Sequence, residues 1–266
     1  MAISKEKLIK CIEKIAPPDL SEDWDNTGIQ IDMGHAEIKR ALIALDVTSA
    51  VVDEAVRINA DFILAHHPLL FHKVNTIDNG DATGRLVIAL IRAGITVYSA
   101  HLSFDAVYGG NNDYLASLLG LHRVRRMRVG GGVPEEKAIA RTGYLSASKS
   151  LAEVCGMVKD RLGINHPIPV AGDPGTPIDK IGLCTGGGGD MINDAVADGC
   201  SLFITGDIRH HEAILAVERG ICLIDAGHYY TERIFVENFA EKLRVSAGGL
   251  LEIIESRAMA PPLSYI

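Results

Sequence analysis

Histidines and carboxylates gather at a few points of the chain: His66-His67, His101 with Asp105, and His228 with Glu232, with Asp46 and Asp207 in comparable places. Imidazole and carboxylate together suit borderline divalent cations such as zinc, manganese, iron or nickel. Five protein ligands from these strand ends are too many for one tetrahedral catalytic zinc with an open position. They suit two ions about 3.5–4 Å apart that share a carboxylate and a water. A pair of that kind activates water at neutral pH and clamps the oxygen being attacked. Each piece alone is weak. Adjacent histidines on an extended backbone project to opposite sides, so His66 and His67 are expected to reach different ions. His228-x-x-x-Glu232 shares one face if a helix begins near His228. His101-x-x-x-Asp105 repeats the spacing, but Gly109 and Gly110 point to a loop there.

Other candidates carry less. Thr185-Gly186-Gly187-Gly188-Gly189-Asp190 joins a strand to a helix as a phosphate cradle would. It fails the dinucleotide pattern, since Met191 stands where the third glycine belongs, and no P-loop lysine follows. A tight turn that lets substrate approach the backbone is the expectation. Asp207 with His210-His211 is expected to decorate a helix start. Arg123, Arg125, Arg126 and Arg128 read as a solvated edge or subunit contact. No G-x-S-x-G elbow and no reactive-cysteine motif occurs.

The elements that must position these groups alternate. A helix around Leu8, Cys11, Ile12 and Ile15 opens behind Ser4 and ends at Pro17-Pro18. Apolar runs at 40–46, 61–65 and 95–100 read as buried strands, separated by helices from Thr48 or Ser49 to about Ala60 and near 84–93. A helix near 112–119 follows. Two β-like stretches, Arg123–Val129 and Ala138–Leu145, and a helix capped by Ser148 and ended by Gly163 fill the middle. Strands at 180–184, 201–205 and 221–225 then alternate with helices, the last a long one near 230–243. The pattern predicts an α/β fold: two α/β domains with mainly parallel sheets, 1–128 and 129–266, the segment about 235–266 packing back on the first. The strand ends at 46 and 66 and those at 185 and 206 suggest an internal pseudo-repeat. Polar residues then collect at carboxyl ends of strands, where open α/β sheets bind ligands, and the metal site is expected in the groove between the domains.

The chain has 266 residues, 47 % hydrophobic and 23 % charged, enough for a substantial core. Its 26 basic and 34 acidic side chains give a net charge of −8, which disfavours broad phosphate-backbone binding and makes a nucleic-acid partner unexpected. No apolar run approaches the roughly 18–20 residues that span a bilayer, and lysines and glutamates interrupt the first turns, so neither membrane span nor signal peptide is expected. Five scattered cysteines without a C-x-x-C pair suggest reduced thiols in a cytoplasmic protein.

In order along the chain stand Trp24-Asp25-Asn26-Thr27-Gly28-Ile29, Ala65-His66-His67-Pro68-Leu69-Leu70-Phe71, Ala100-His101-Leu102-Ser103-Phe104-Asp105, Gly109-Gly110-Asn111-Asn112-Asp113, Cys184-Thr185-Gly186-Gly187-Gly188, Thr205-Gly206-Asp207 and Gly227-His228-Tyr229-Tyr230-Thr231-Glu232. This series resembles the Nif-three-like dinuclear metal-centre proteins, often labelled GTP cyclohydrolase I type 2 homologues, over nearly the whole chain. The resemblance implies two divalent ions on His66, His67, Asp105, His228 and Glu232, with Asp105 bridging. It implies a neighbouring, proton-moving role for His101 rather than ligation. Leu102 and Ser103 replace the family's threonine and asparagine, a departure that bears on substrate and not on the ligands. The chain matches the short form without a mid-chain inserted domain, and the family implies a homohexameric ring with metal sites facing an internal cavity. The leading expectation is a metal-dependent hydrolase of a small-molecule substrate. A metal chaperone or cofactor-assembly protein without turnover, and an oligomeric scaffold, are the alternatives.

Overall fold

The computed structural model describes residues 2–128 and 130–264. The chain divides into two compact units: Met1–Val107 with Phe235–Ala260, and Tyr108–Ile234 with Pro261–Ile266.

In the first unit a five-stranded sheet runs in the order Glu252–Glu255, Arg40–Ala44, Phe62–Ala65, Thr96–Ser99, Gly28–Ile31. The first four are mutually parallel and the last is antiparallel. The central strands are buried almost throughout and mostly apolar because both faces are covered. Ala41, Ile43, Phe62, Leu64 and Tyr98 pack with Leu8 and Ile12 of the helix Lys5–Ile15 and with Phe235 and Phe239 of the helix Phe235–Ala247. The alternate residues Leu42, Ala44, Ile63, Ala65 and Val97 pack with Val51 and Ala55 of Ser49–Arg57 and Val87 and Leu90 of Ala82–Ala93. Period-two alternation thus feeds two cores from one set of strands. Thr48 caps Ser49–Arg57 by accepting from Val51 N, and Gly94, left-handed at φ 69°, stops Ala82–Ala93.

In the second unit six strands run in the order His122–Arg126, Arg141–Ser150, Pro177–Gly187, Leu202–Gly206, Cys222–Asp225, Val170–Ala171. Pro177–Gly187, Leu202–Gly206 and Cys222–Asp225 are parallel, and the strands outside them are added antiparallel. Ile181, Leu183, Ile204 and Ile224 pack with the helix Leu151–Leu162, while Phe203 and Leu223 pack with Ile192–Ala197 and His210–Glu218.

One plan recurs within each unit. A short strand precedes three parallel strands linked by helices and pairs antiparallel with the third of them. A one-turn helix follows that third strand: Leu102–Ala106 in the first unit and His228–Glu232 in the second. These turns carry Asp105 and Glu232.

Several expectations change. The units part at Val107 and Tyr108, not at 128 and 129, because Asn111–Leu118 and His122–Arg126 pack with the second sheet. Residues 235–260 belong to the first unit, where Glu252–Glu255 adds a parallel edge strand. The expected helix at 230–243 is two helices, His228–Glu232 and Phe235–Ala247. The cap of Leu151–Leu162 is Ser150, in a capping box with Glu153, rather than Ser148, which lies in the long strand Arg141–Ser150. A helical turn, not a loop, follows His101, since Gly109 and Gly110 come after its end. Val129, the expected end of one strand, lies outside the described residues.

Candidate metal centre

In the first unit the donors follow the second and third parallel strands. Beyond Phe62–Ala65 the pairing continues, with His66 N donating to Ala44 O at 3.1 Å and His67 N to Leu45 O at 3.0 Å. Both residues lie in a bend, so the alternation of an extended strand lapses. The imidazoles therefore converge, with ring centroids 5.0 Å apart, instead of pointing to opposite sides. His101 joins them, its ring 5.2 Å from His66 and 5.5 Å from His67. One ligand atom from each of these three histidines lies within 4.8 Å of the others. His101 caps the turn Leu102–Ala106 with its carbonyl, which accepts from Phe104 N and Asp105 N. That turn brings the buried Asp105 Oδ2 to 3.6 Å from His66 Nε2. This exceeds a direct hydrogen bond. It is near the about 3.4 Å edge between tetrahedral ligands each roughly 2.1 Å from an ion.

Each histidine is fixed through Nδ1. His66 Nδ1 lies 3.0 Å from Ala100 O, His67 Nδ1 2.7 Å from Asp46 Oδ1, and His101 Nδ1 2.8 Å from Asp25 Oδ1. Asp25 also accepts from Leu102 N and Thr27 Oγ1. Burial alone would raise the Asp25 carboxyl; the His101 hydrogen bond and charge outweigh it and hold it below the usual range.

The second unit repeats the device. His228 Nδ1 lies 2.7 Å from Asp207 Oδ2, and its Nε2 lies 2.8 Å from Glu232 Oε2, one turn later on His228–Glu232. Burial would depress the His228 imidazole, but Glu232 and Asp207 overcome it and lift it to about 9. The glycine run reads differently from a phosphate cradle. Strand Pro177–Gly187 passes through it, and Gly186 sits at φ +70° with Glu232 packed on its open side. A Cβ there would lie 2.1 Å from Glu232 Oε1 and 3.3 Å from His228 Nε2. At Gly206 a Cβ would meet His228 N at 2.4 Å. Thr231 Oγ1 accepts from Gly186 N at 3.0 Å, tying the turn to the strand. The glycines make room for the acid and the imidazole.

The structure therefore places His66, His67, His101 and Asp105 together in the first unit and His228 with Glu232 in the second. His210 and His211 begin the helix His210–Glu218 and are exposed, while Asp207, at φ 55°, anchors His228. Arg125 pairs with Asp198 on the edge strand, and Arg126 stacks on Tyr108 at 4.1 Å. The cysteines are all free. Among the described residues no helix is long and apolar enough to cross a membrane. The anchoring role of Asp25 is not visible in the sequence, although the residue stands in the series Trp24-Asp25-Asn26-Thr27-Gly28-Ile29. Asp46 and Asp207 were visible only as strand-end acids.

The donor chemistry, the Nδ1 anchors and the glycine cradle all fit divalent metal. The family model described as Duf34/NIF3 (NGG1p interacting factor 3) matches residues 3–262. A Clostridium perfringens relative named GTP cyclohydrolase 1 type 2 homolog is 36 % identical over 259 residues, 97 % of this chain and 98 % of its own. Among solved structures, a Bacillus cereus protein related to NIF3 superposes with a TM-score of 0.91 at 22 % identity, over 99 % of both chains. Reduced HcgD from Methanocaldococcus jannaschii gives 0.79 at 28 % identity, over 96 % of this chain and 98 % of its own. The chain belongs to the Duf34/NIF3 family.

Proposed function

We propose that this protein is a divalent-metal-dependent hydrolase in which His66, His67, Asp105, His228 and Glu232 hold two ions. The supporting observation is that all four histidines, three in the first unit and His228 in the second, spend Nδ1 on a fixed acceptor, Ala100 O, Asp46, Asp25 or Asp207. That turns Nε2 toward the site, as a ligand atom on His66, His67 and His228, in the arrangement that metal-ligating histidines use, and as a proton acceptor on His101. Two bound ions would supply Lewis acidity and a nucleophilic water near neutral pH.

The protein supplies the rest. The anchors hold the imidazoles before an ion arrives, so little side-chain order is lost on binding. Asp25 keeps the His101 ring oriented, with its Nε2 edge free to take a proton from the attacking water and return it to the leaving group. The name of the Clostridium relative favours a purine nucleotide, and GTP is the first substrate to assay; phosphoester and amide bonds follow.

Elemental analysis tests the reading. About two transition-metal ions per chain are expected, lost in both His66→Ala and Glu232→Ala. His101→Ala should keep the metal and lose turnover. Metal-free protein that takes up no zinc, manganese or iron would overturn the proposal. Metal transferred to an acceptor, with no hydrolysis of nucleotides or phosphoesters, would replace it with a carrier.

A further inference from the structure

Beside the first unit's histidines a groove of about 630 Å³ opens between residues 23–26 and 70–77, a size that suits a small molecule. Its walls carry aromatic surface left in solvent: Trp24 is 63 % and Phe71 46 % exposed. The two rings meet edge to face, with centroids 6.1 Å apart at 73°. That geometry leaves ring faces open to a third ring. The row of rings continues inward. Phe71 lies 6.3 Å from His101, and His101 lies 5.2 Å from His66. Asp25, at the inner end, is taken up by His101 and Leu102 N. Lys73 lines the groove and makes no hydrogen bond or ion pair among the described residues. Asp23 offers acceptor oxygens on the same lining.

From the row of rings, the uncommitted cation and the adjoining histidines, we infer that this groove is the substrate-recognition subsite, and that it takes a planar nitrogen heterocycle bearing an anionic group. The ring stacks on Trp24 or Phe71, its N–H groups meet Asp23, and Lys73 holds the anion. The inference builds on the hydrolase reading, because Asp25 and Phe71 of the groove lining also border His101. Its binding test, however, needs no metal. A second copy of the chain is the competing occupant; the lone lysine and the path inward to His101 favour a small ligand.

Trp24 is the only tryptophan in the chain, so its emission reports this groove alone. The experiment titrates metal-free and zinc-loaded protein with guanosine 5′-monophosphate, guanosine and ribose 5-phosphate, with excitation at the red edge of indole absorption. Saturable quenching by the monophosphate and by guanosine is expected in both forms. Phe71→Ala should weaken both ligands about tenfold. Lys73→Ala should weaken the monophosphate and leave guanosine unchanged. Thermal melts confirm that each variant is folded. No saturable change with the monophosphate or guanosine overturns the inference. So does ribose 5-phosphate binding as well as the monophosphate while guanosine does not bind. Emission that follows chain concentration and ignores all three probes assigns the groove to a second copy and likewise overturns it. Quenching in protein that takes up no metal would leave the groove standing and remove only the metal reading; metal uptake without quenching does the reverse.

Discussion

Replacing Gly186 by alanine isolates the link between the glycine run and the donor set. Two effects follow from the geometry. The residue sits at φ +70°, where a side chain costs about 1–2 kcal/mol. For a chain of this size that lowers Tm by roughly 2–8 °C. The new Cβ would also lie 2.1 Å from Glu232 Oε1 and 2.9 Å from its Cδ. Ordinary contact needs well over 3 Å, so the carboxylate must move by about 1 Å. Ligand distances at a metal site tolerate only about 0.2 Å. Because Glu232 Oε1 is the far end of a side chain, it swings aside cheaply. The steric cost therefore falls on metal binding and not on the fold.

Gly187 supplies the control. A Cβ there meets nothing closer than Asp207 Cβ at 3.8 Å and His228 Nδ1 at 4.0 Å. Gly187→Ala should keep both metal content and Tm. The assay is elemental analysis on dialysed protein with a thermal melt alongside. Gly186→Ala should melt a few degrees lower while losing metal out of proportion. Wild-type metal content in Gly186→Ala would refute the reasoning, and so would equal loss in the two variants.

Asp46→Asn and Asp207→Asn remove the carboxylate anchors of His67 and His228 and should weaken metal affinity about 10–100-fold with the fold intact; unchanged affinity in a chelator competition would show that the anchors are incidental. Asp25→Asn should lower turnover while metal content stays at its wild-type value, and loss of metal would make His101 a ligand. In metal-free protein His228 is raised from 6.5 to about 9, so its contribution to stability is complete below pH 6.5 and is lost as pH rises through about 9. Metal on Nε2 must displace that proton, so uptake at pH 7 should release it and affinity should climb up to about tenfold per pH unit toward 9; calorimetry in buffers of different ionisation enthalpy would detect its absence. Arg141 is fully buried and held by Asp113 at 3.0 Å. Asp113→Ala should cost about 3 kcal/mol, and a urea midpoint within error of wild type would contradict this.

What was legible in the sequence was what depends on local pattern. Arg40–Ala44, Phe62–Ala65 and Thr96–Ser99 are almost wholly buried and mostly apolar because parallel strands are covered on both faces. The histidines and acids just beyond such runs mark the proposed donors. What escaped depends on chain returning from far away. Asp25 reaches His101 across 76 positions, next to an edge strand of four residues, Gly28–Ile31. Glu252–Glu255, with a glutamate at each end, is too polar to announce a parallel strand beside Arg40–Ala44. The helix expected at 230–243 breaks at residues 233–234 without glycine or proline, because Glu232 belongs to the second unit and Phe235 packs with Phe104 and Phe239 in the first. The glycine run misled for a related reason: its partner, Glu232, lies 46 positions downstream of Gly186.

The repeated plan clarifies why the donors are of unlike types. In the first unit the second parallel strand ends in the imidazole, His67, and the first strand supplies its anchor, Asp46. In the second unit the second parallel strand ends in the anchor, Asp207, and the imidazole, His228, comes from the turn after the third strand. The end of the second strand thus carries the imidazole in one unit and the anchor in the other, and its partner comes from the first strand in one and from beyond the third in the other. The turns after the third strands stay alike: His101 and Asp105 in one, His228 and Glu232 in the other, each a histidine with an acid four residues on. The His–x–x–x–acid pair belongs to the plan itself, whereas the ends of the second strands have diverged. Exchange of chemistry between equivalent positions accounts for an internal repeat that is plain in strand order and faint in residue identity.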